Sequence, residues 1–148
     1  MPFPEDIVRF VLQRDLCVLA TSALDVPHAS LMAYVAEDDL SSLYMATPST
    51  TRKWANLCVN PTLSVLMDDR EQHTSKTRAA SQALTMGGRH IPVGDAANAY
   101  RITGLLTDRH PHLAGILARP GIEIIRLKPQ WCLLLTGAED ARYINLES

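Results

Sequence analysis

Aromatic residues make up only 5% of this 148-residue chain, too few for a site built from stacked rings. Cysteine is also sparse: Cys17, Cys58 and Cys132 lie far apart, with no CxxC or Cys/His spacing that would gather four metal ligands. A reduced, cytoplasmic protein without a metal centre is the expectation. No apolar run approaches the roughly 20 residues of a membrane helix, and Glu5, Asp6, Arg9, Arg14 and Asp15 interrupt the start of the chain. Neither a membrane span nor a secretory signal is predicted. An excess of positive charge is missing too: 14 Lys and Arg stand against 16 Asp and Glu, for a formal charge of -2. Without a basic field there is nothing to hold a nucleic-acid backbone non-specifically. Repeats and low-complexity tracts are absent.

What is present is a globular composition, 47% hydrophobic and 20% charged, on a chain that fits one ordinary domain over residues 1–148. Ile7, Val8, Val11 and Leu12 share one helical stripe behind Pro4. Residues 16–21 (LCVLAT), 28–35 (HASLMAYV), 42–46 (SLYMA) and 62–67 (TLSVLM) read as strands. A helix over residues 52–59 follows from Trp54, Leu57 and Cys58 at i, i+3, i+4, and Asn60-Pro61 stops it. Residues 80–93 read as a strand bent or bulged at Gly87 and Gly88. Asp95 caps a further helix that ends at His110-Pro111, with a short helix near residues 113–117. Residues 122–127 (IEIIRL) and 131–135 (WCLLL), divided by Lys128-Pro129-Gln130, read as a closing hairpin. Six to seven short antiparallel strands must curl to protect their edges, so the fold class is mainly β: a small barrel with peripheral helices.

The segment richest in chemistry is residues 47–53 (TPSTTRK), where a strand end, a hydroxyl loop and a helix start meet two adjacent cations. Unpaired N–H groups and the positive end of the helix dipole favour an anion there. Thr50 and Thr51 offer hydroxyls, Arg52 a fork for two phosphate oxygens, and Lys53 a compact charge. Cations are otherwise misplaced at a helix N-terminus, so a monoester phosphate is one reading. The plainer one is a Thr cap followed by two solvated charges.

In order, LCVLATS, HASLMAYV, LYMATPSTTRKWANLCVNPTLSVLMDD and QALTMGG make the chain resemble the pyridoxamine 5′-phosphate oxidase-like family, the FMN-binding split barrels. The resemblance spans about residues 16–88. It implies a homodimer with two FMN molecules at the subunit interface. By position, Thr51, Arg52 and Lys53 would hold the flavin phosphate, and Thr47 also falls on a family FMN position. The strand carrying His28, Ala29, Ser30, Leu31 and Met32 would run along the isoalloxazine ring, offering backbone groups and the Ser30 hydroxyl. Gln82 matches a glutamine that reaches the flavin. Two positions depart from the vitamin oxidases, whose second strand opens with Arg and closes with Lys, where this chain has His28 and Ala33. His28 can still donate a hydrogen bond, or charge at lower pH.

The resemblance therefore implies an FMN-dependent oxidoreductase acting on a small redox substrate, not specifically on pyridoxamine phosphate. A non-catalytic flavin- or haem-binding carrier or sensor, and a β-domain without a ligand, are the alternatives. His110 and His112 form an HxH pair that is more often a helix-loop junction than a metal site. Trp54 and Trp131 read as core or interface residues, and Asp68-Asp69 as a solvated turn. No GxSxG or Cys/His arrangement points to hydrolysis.

Overall fold

The computed structural model describes residues 3–146 and turns the alternating segments into eight strands paired antiparallel. These are β1 (Leu16–Ala23), β2 (Val26–Ala33), β3 (Val35–Ala36), β4 (Leu43–Pro48), β5 (Thr62–Asp68), β6 (Gln82–His90), β7 (Ile122–Thr136) and β8 (Asp140–Asn145). Across the sheet they run β2-β1-β5-β6-β7-β4-β3, with β8 also on β7. The two outer strands, β2 and β3, are consecutive in the chain and separated only by Tyr34. Because one residue joins the sheet's two ends, the sheet has to curl back on itself, which is the split-barrel geometry expected. Tyr34 secures the seam: its N–H donates to the Asp15 carbonyl at 3.0 Å, and its buried hydroxyl donates to the Val11 carbonyl.

The barrel interior is aliphatic, with Leu19, Met45, Met67, Leu84, Met86, Ile125 and Leu127 fully buried. Methionines fill the irregular space inside a strongly curved sheet. Helix α1 (Glu5–Gln13) adds Ile7, Phe10 and Val11 to this core. Helix α2 (Arg52–Val59) packs on β1 and β2 and adds Leu57 to the core, and α3 (Ala96–Arg109) packs Ile102 and Leu106 on Tyr44. The short α4 (Ala114–Leu117) follows. No helix among the described residues is long and apolar enough to cross a membrane.

The expected closing hairpin is corrected. Residues 122–136 form the single long strand β7, and Lys128-Pro129-Gln130 is a bulge within it, not a turn. Gly87 pairs with Trp131 but Gly88 pairs with Pro129, so Gln130 is the extra residue. A proline without an N–H is tolerated at such a point. The real closing hairpin joins β7 to β8, which raises the strand number to eight. His110 is buried, with Nε2 2.8 Å from the Tyr34 carbonyl, so it pins the end of α3 to the barrel seam. The HxH pair is thus a helix-loop junction.

His90 and Glu37 are among the groups that set the response to acid. His90 is buried and burial lowers its pKa, so the unfolded chain takes up that proton first. Glu37 accepts two hydrogen bonds from Arg101 (3.2 and 2.9 Å), which hold its carboxyl below the usual value. Stability is therefore expected to fall first as pH drops below the ordinary histidine value of about 6.5, and again below the glutamate value of about 4.3. Denaturant melts of His90→Gln should lose the first step and keep the second. An unchanged first step would contradict the role given to His90.

Candidate functional site

β4 ends at Pro48, opposite Ile122, and the chain turns sharply there. The Ser49 N–H donates to the Gly121 carbonyl at 2.8 Å and the Thr51 N–H to the Pro48 carbonyl at 3.2 Å. Thr51 then caps α2. Its hydroxyl oxygen accepts from the Trp54 N–H at 3.4 Å, lies 2.9 Å from the Thr47 hydroxyl and 3.1 Å from the Pro48 carbonyl. Of the two hydroxyls expected to grip an anion, Thr51 is thus spent, with Thr47, on shaping the turn, while Thr50 remains on its exposed rim beside Ser49.

What the turn presents is positive. Arg52 is exposed and Lys53 half-buried, and the first turn of α2 contains no acidic residue. The ion pairs among the described residues join Arg70 to Asp68, His73 to Asp69, Arg101 to Glu37 and Arg142 to Asp6, leaving both cations uncompensated. Two positive side chains at the positive end of a helix repel the dipole, so the local electrostatics improve when an anion arrives.

The body of α2 ties this corner to the predicted flavin strand. Asn56 donates to the Thr21 hydroxyl at 3.1 Å and Asn60 to the Ser22 hydroxyl at 3.2 Å; Thr21 and Ser22 pair with His28 and Pro27. On β2, His28, Ser30 and Met32 face one way, with His28 Nε2 3.1 Å from the Ser30 hydroxyl. Ala29 and Leu31 face the other, Leu31 being 70% exposed. β2 pairs only with β1, so its free edge keeps unpaired backbone groups, as contact with a flavin edge requires. Gln82 is not brought to the corner. It pairs with Thr136, and its amide donates to that hydroxyl at 3.2 Å, whereas Thr47 pairs with Glu123 at the opposite end of β7.

One feature of the surface was not foreseen. Leu31, Val18, Leu66, Thr85, Leu133 and Tyr143 are successive cross-strand partners, so a largely apolar row crosses the outside of β2, β1, β5, β6, β7 and β8. Trp131 lies beside it, stacked on Tyr143 at 6.0 Å between ring centroids. The available signal is the unbroken apolarity of LCVLA and WCLLL. A strand with water on one face alternates, and these do not.

The family model described as pyridoxamine 5′-phosphate oxidase matches residues 3–135. No curated protein matches the sequence. Among solved structures, a haem-binding protein from Mycobacterium smegmatis is similar with a TM-score of 0.83 at 15% identity, over 98% of this chain and 60% of that one. This chain therefore spans less than two thirds of the mycobacterial protein. The haem storage protein of Vibrio cholerae has a TM-score of 0.73 at 21% identity, covering 93% of this chain and 96% of that one. For a putative pyridoxamine 5′-phosphate oxidase from Listeria innocua the values are 0.66 and 20%, over 95% and 97%. At these identities the likeness is one of fold.

Proposed function

The chain belongs to the pyridoxamine 5′-phosphate oxidase family, and on that premise we propose that it is a homodimeric FMN-binding flavoprotein passing electrons from a reduced carrier to a small acceptor. The observation that carries this reading is the corner of residues 47–53, where Arg52 and Lys53 stand without carboxylate partners at an acid-free helix start. A terminal phosphate monoester matches that corner in charge and geometry: Arg52 supplies a fork, Lys53 a point charge, and the first N–H groups of α2 complete the cradle. The free edge of β2 would align the ring, with His28 and Ser30 at its polar rim. The flavin, when bound, supplies two-electron transfer, and the chain contributes orientation and electrostatics. Since Ala33 offers no charge to the ring, pyridoxamine phosphate is not the substrate we assign.

Dimerisation is supported by the apolar row on the outer face. Leu16, Leu31, Leu66, Leu135 and Tyr143 are all more than a third exposed in the single chain, an arrangement that favours cover by a second copy. Leu31→Asp combined with Leu133→Asp is expected to give a monomer by sedimentation, with FMN affinity lowered alongside. A dimer that survives both substitutions would move the interface elsewhere.

The second reading is a haem or flavin carrier without turnover, and haem binding by the mycobacterial neighbour and haem storage by the Vibrio one favour it. Three of the five histidines are engaged within the fold: His73 pairs with Asp69, His110 holds the Tyr34 carbonyl, and His28 is engaged with Ser30. A haem ligand would have to come from exposed His112 or from His90, which lies buried beside a cavity. The absorption spectrum of the purified protein separates the readings, followed by oxidation of reduced nicotinamide with an added acceptor. A flavin spectrum with turnover is expected. A Soret band, or a flavin-loaded dimer without turnover, would favour the carrier.

A further inference from the structure

A cavity of about 430 Å³ lies between α2, the start of α3 and the first half of β7, next to the turn that carries Arg52: Ile122 and Glu123 on its wall pair with Pro48 and Thr47, but none of Thr47, Thr51, Arg52 and Lys53 lines it. Trp54, Leu57, Val93, Ala99, Ile122 and Ile124 give it an apolar wall. Its volume falls in the range of about 300–1,000 Å³ typical of small-molecule sites. His90 is the polar group built into that wall. It is only 7% exposed, and its ring meets Trp54 edge-on at 5.5 Å. Its Nδ1 accepts from the Arg126 backbone N–H at 3.2 Å, which places the proton of the neutral ring on Nε2. Burial keeps the ring neutral by lowering its pKa. Among the described residues no hydrogen bond to Nε2 is formed, and the His90 side chain lines the cavity.

We propose that this cavity is a second ligand site, which takes an uncharged aromatic molecule of one or two rings bearing a hydrogen-bond acceptor. The acceptor meets His90 Nε2–H, and the rings lie against Trp54, Leu57 and Ile124. Adjacent Trp54 and His90 rings offer the edge and face contacts that an aromatic ligand uses better than an aliphatic one. The Glu123 carboxylate on the same lining disfavours a carboxylated ligand here. The site adjoins the corner but uses none of the side chains assigned there to the flavin phosphate.

Quinoline, uncharged at pH 7.5 and carrying one ring acceptor, is the probe. Titrated into the ¹⁵N-labelled full chain, it should shift the Trp54 indole N–H and the Val93 and Ala99 amides to saturation. His90→Phe keeps a ring against Trp54 and removes the donor, and should weaken binding roughly tenfold. Ala99→Phe fills the cavity without touching any hydrogen bond of His90, and should abolish the shifts while leaving FMN titration and melting temperature as they were. Quinoline-2-carboxylate should not bind. Quinoline that shifts none of these signals, or that binds Ala99→Phe as it binds the unmodified chain, overturns the proposal. If His90→Phe does not fold, Ala99→Phe decides alone.

Discussion

Replacing Arg52 and Lys53 together by Ala is expected to weaken FMN binding by on the order of 100-fold, while the FMN-free chain melts no lower than before. A hydrogen bond to a charged group contributes about 1.5–3 kcal/mol, and two such groups lost from a phosphate remove at least about 3 kcal/mol. With about 1.4 kcal/mol per decade of affinity, that is two decades or more. The stability arm has the opposite sign. Neither cation has a carboxylate partner among the described residues, and both sit at the end of α2 where positive charge is unfavourable by about 0.3–1 kcal/mol. Tighter folding together with weaker flavin is the signature of a site kept for its ligand. A flavin titration indistinguishable from that of the unmodified chain would remove the phosphate from this corner. A lower melting point without flavin would mean that the two side chains serve the fold instead.

The corner was legible because everything that makes it is local. Seven consecutive residues contain the strand end, the capping hydroxyl and both cations, and the helix that follows has a clear period. Division of labour within the turn was not legible. Thr51 reads as a phosphate donor in the sequence, yet its oxygen lies within hydrogen-bonding distance of Thr47, Pro48 and the Trp54 N–H. Gln82 shows the limit more sharply: its partner Thr136 is 54 residues away, so no local pattern states which end of the sheet it occupies. The cavity at His90 draws its wall from α2, α3 and β7, and only the folded chain assembles it.

For the fold, spacing and alternation were enough to place most helices and strands, and the seam at Tyr34 follows once β2 and β3 are both outer strands. The C-terminal third misled because Lys128-Pro129-Gln130 has the composition of a turn. What decides otherwise lies on another strand. Gly87 and Gly88 of β6 leave room for β7 to pass without breaking its pairing, and a bulge absorbs the proline. Turn residues show where a strand can deviate; the neighbouring strand decides whether it does.

Gly88→Ala is accordingly expected to be the most damaging single methyl addition in the sheet, costing about 3 kcal/mol or more. An added Cβ would stand 2.0 Å from the Lys128 carbonyl oxygen and 2.9 Å from its carbon, both of them backbone, so no rotamer change can relieve the contact. The two strands must part at the bulge. In a chain of this size that corresponds to a fall in melting temperature of roughly 10 °C. Gly87→Ala makes the instructive contrast. There the nearest atom is Cε2 of Trp131 at 2.3 Å, a half-exposed ring able to turn away from Tyr143, so the loss should be smaller and Trp131→Leu should recover part of it. No side-chain truncation should rescue Gly88→Ala, because the obstacle is main chain. Flavin should suffer as well: the bulge sets the direction in which the first half of β7 leaves the barrel, and Glu123 in that half pairs with Thr47 at the corner. A Gly88→Ala protein that melts normally would mean that β6 and β7 can separate there without cost, and the glycine pair would lose its role in aiming β7.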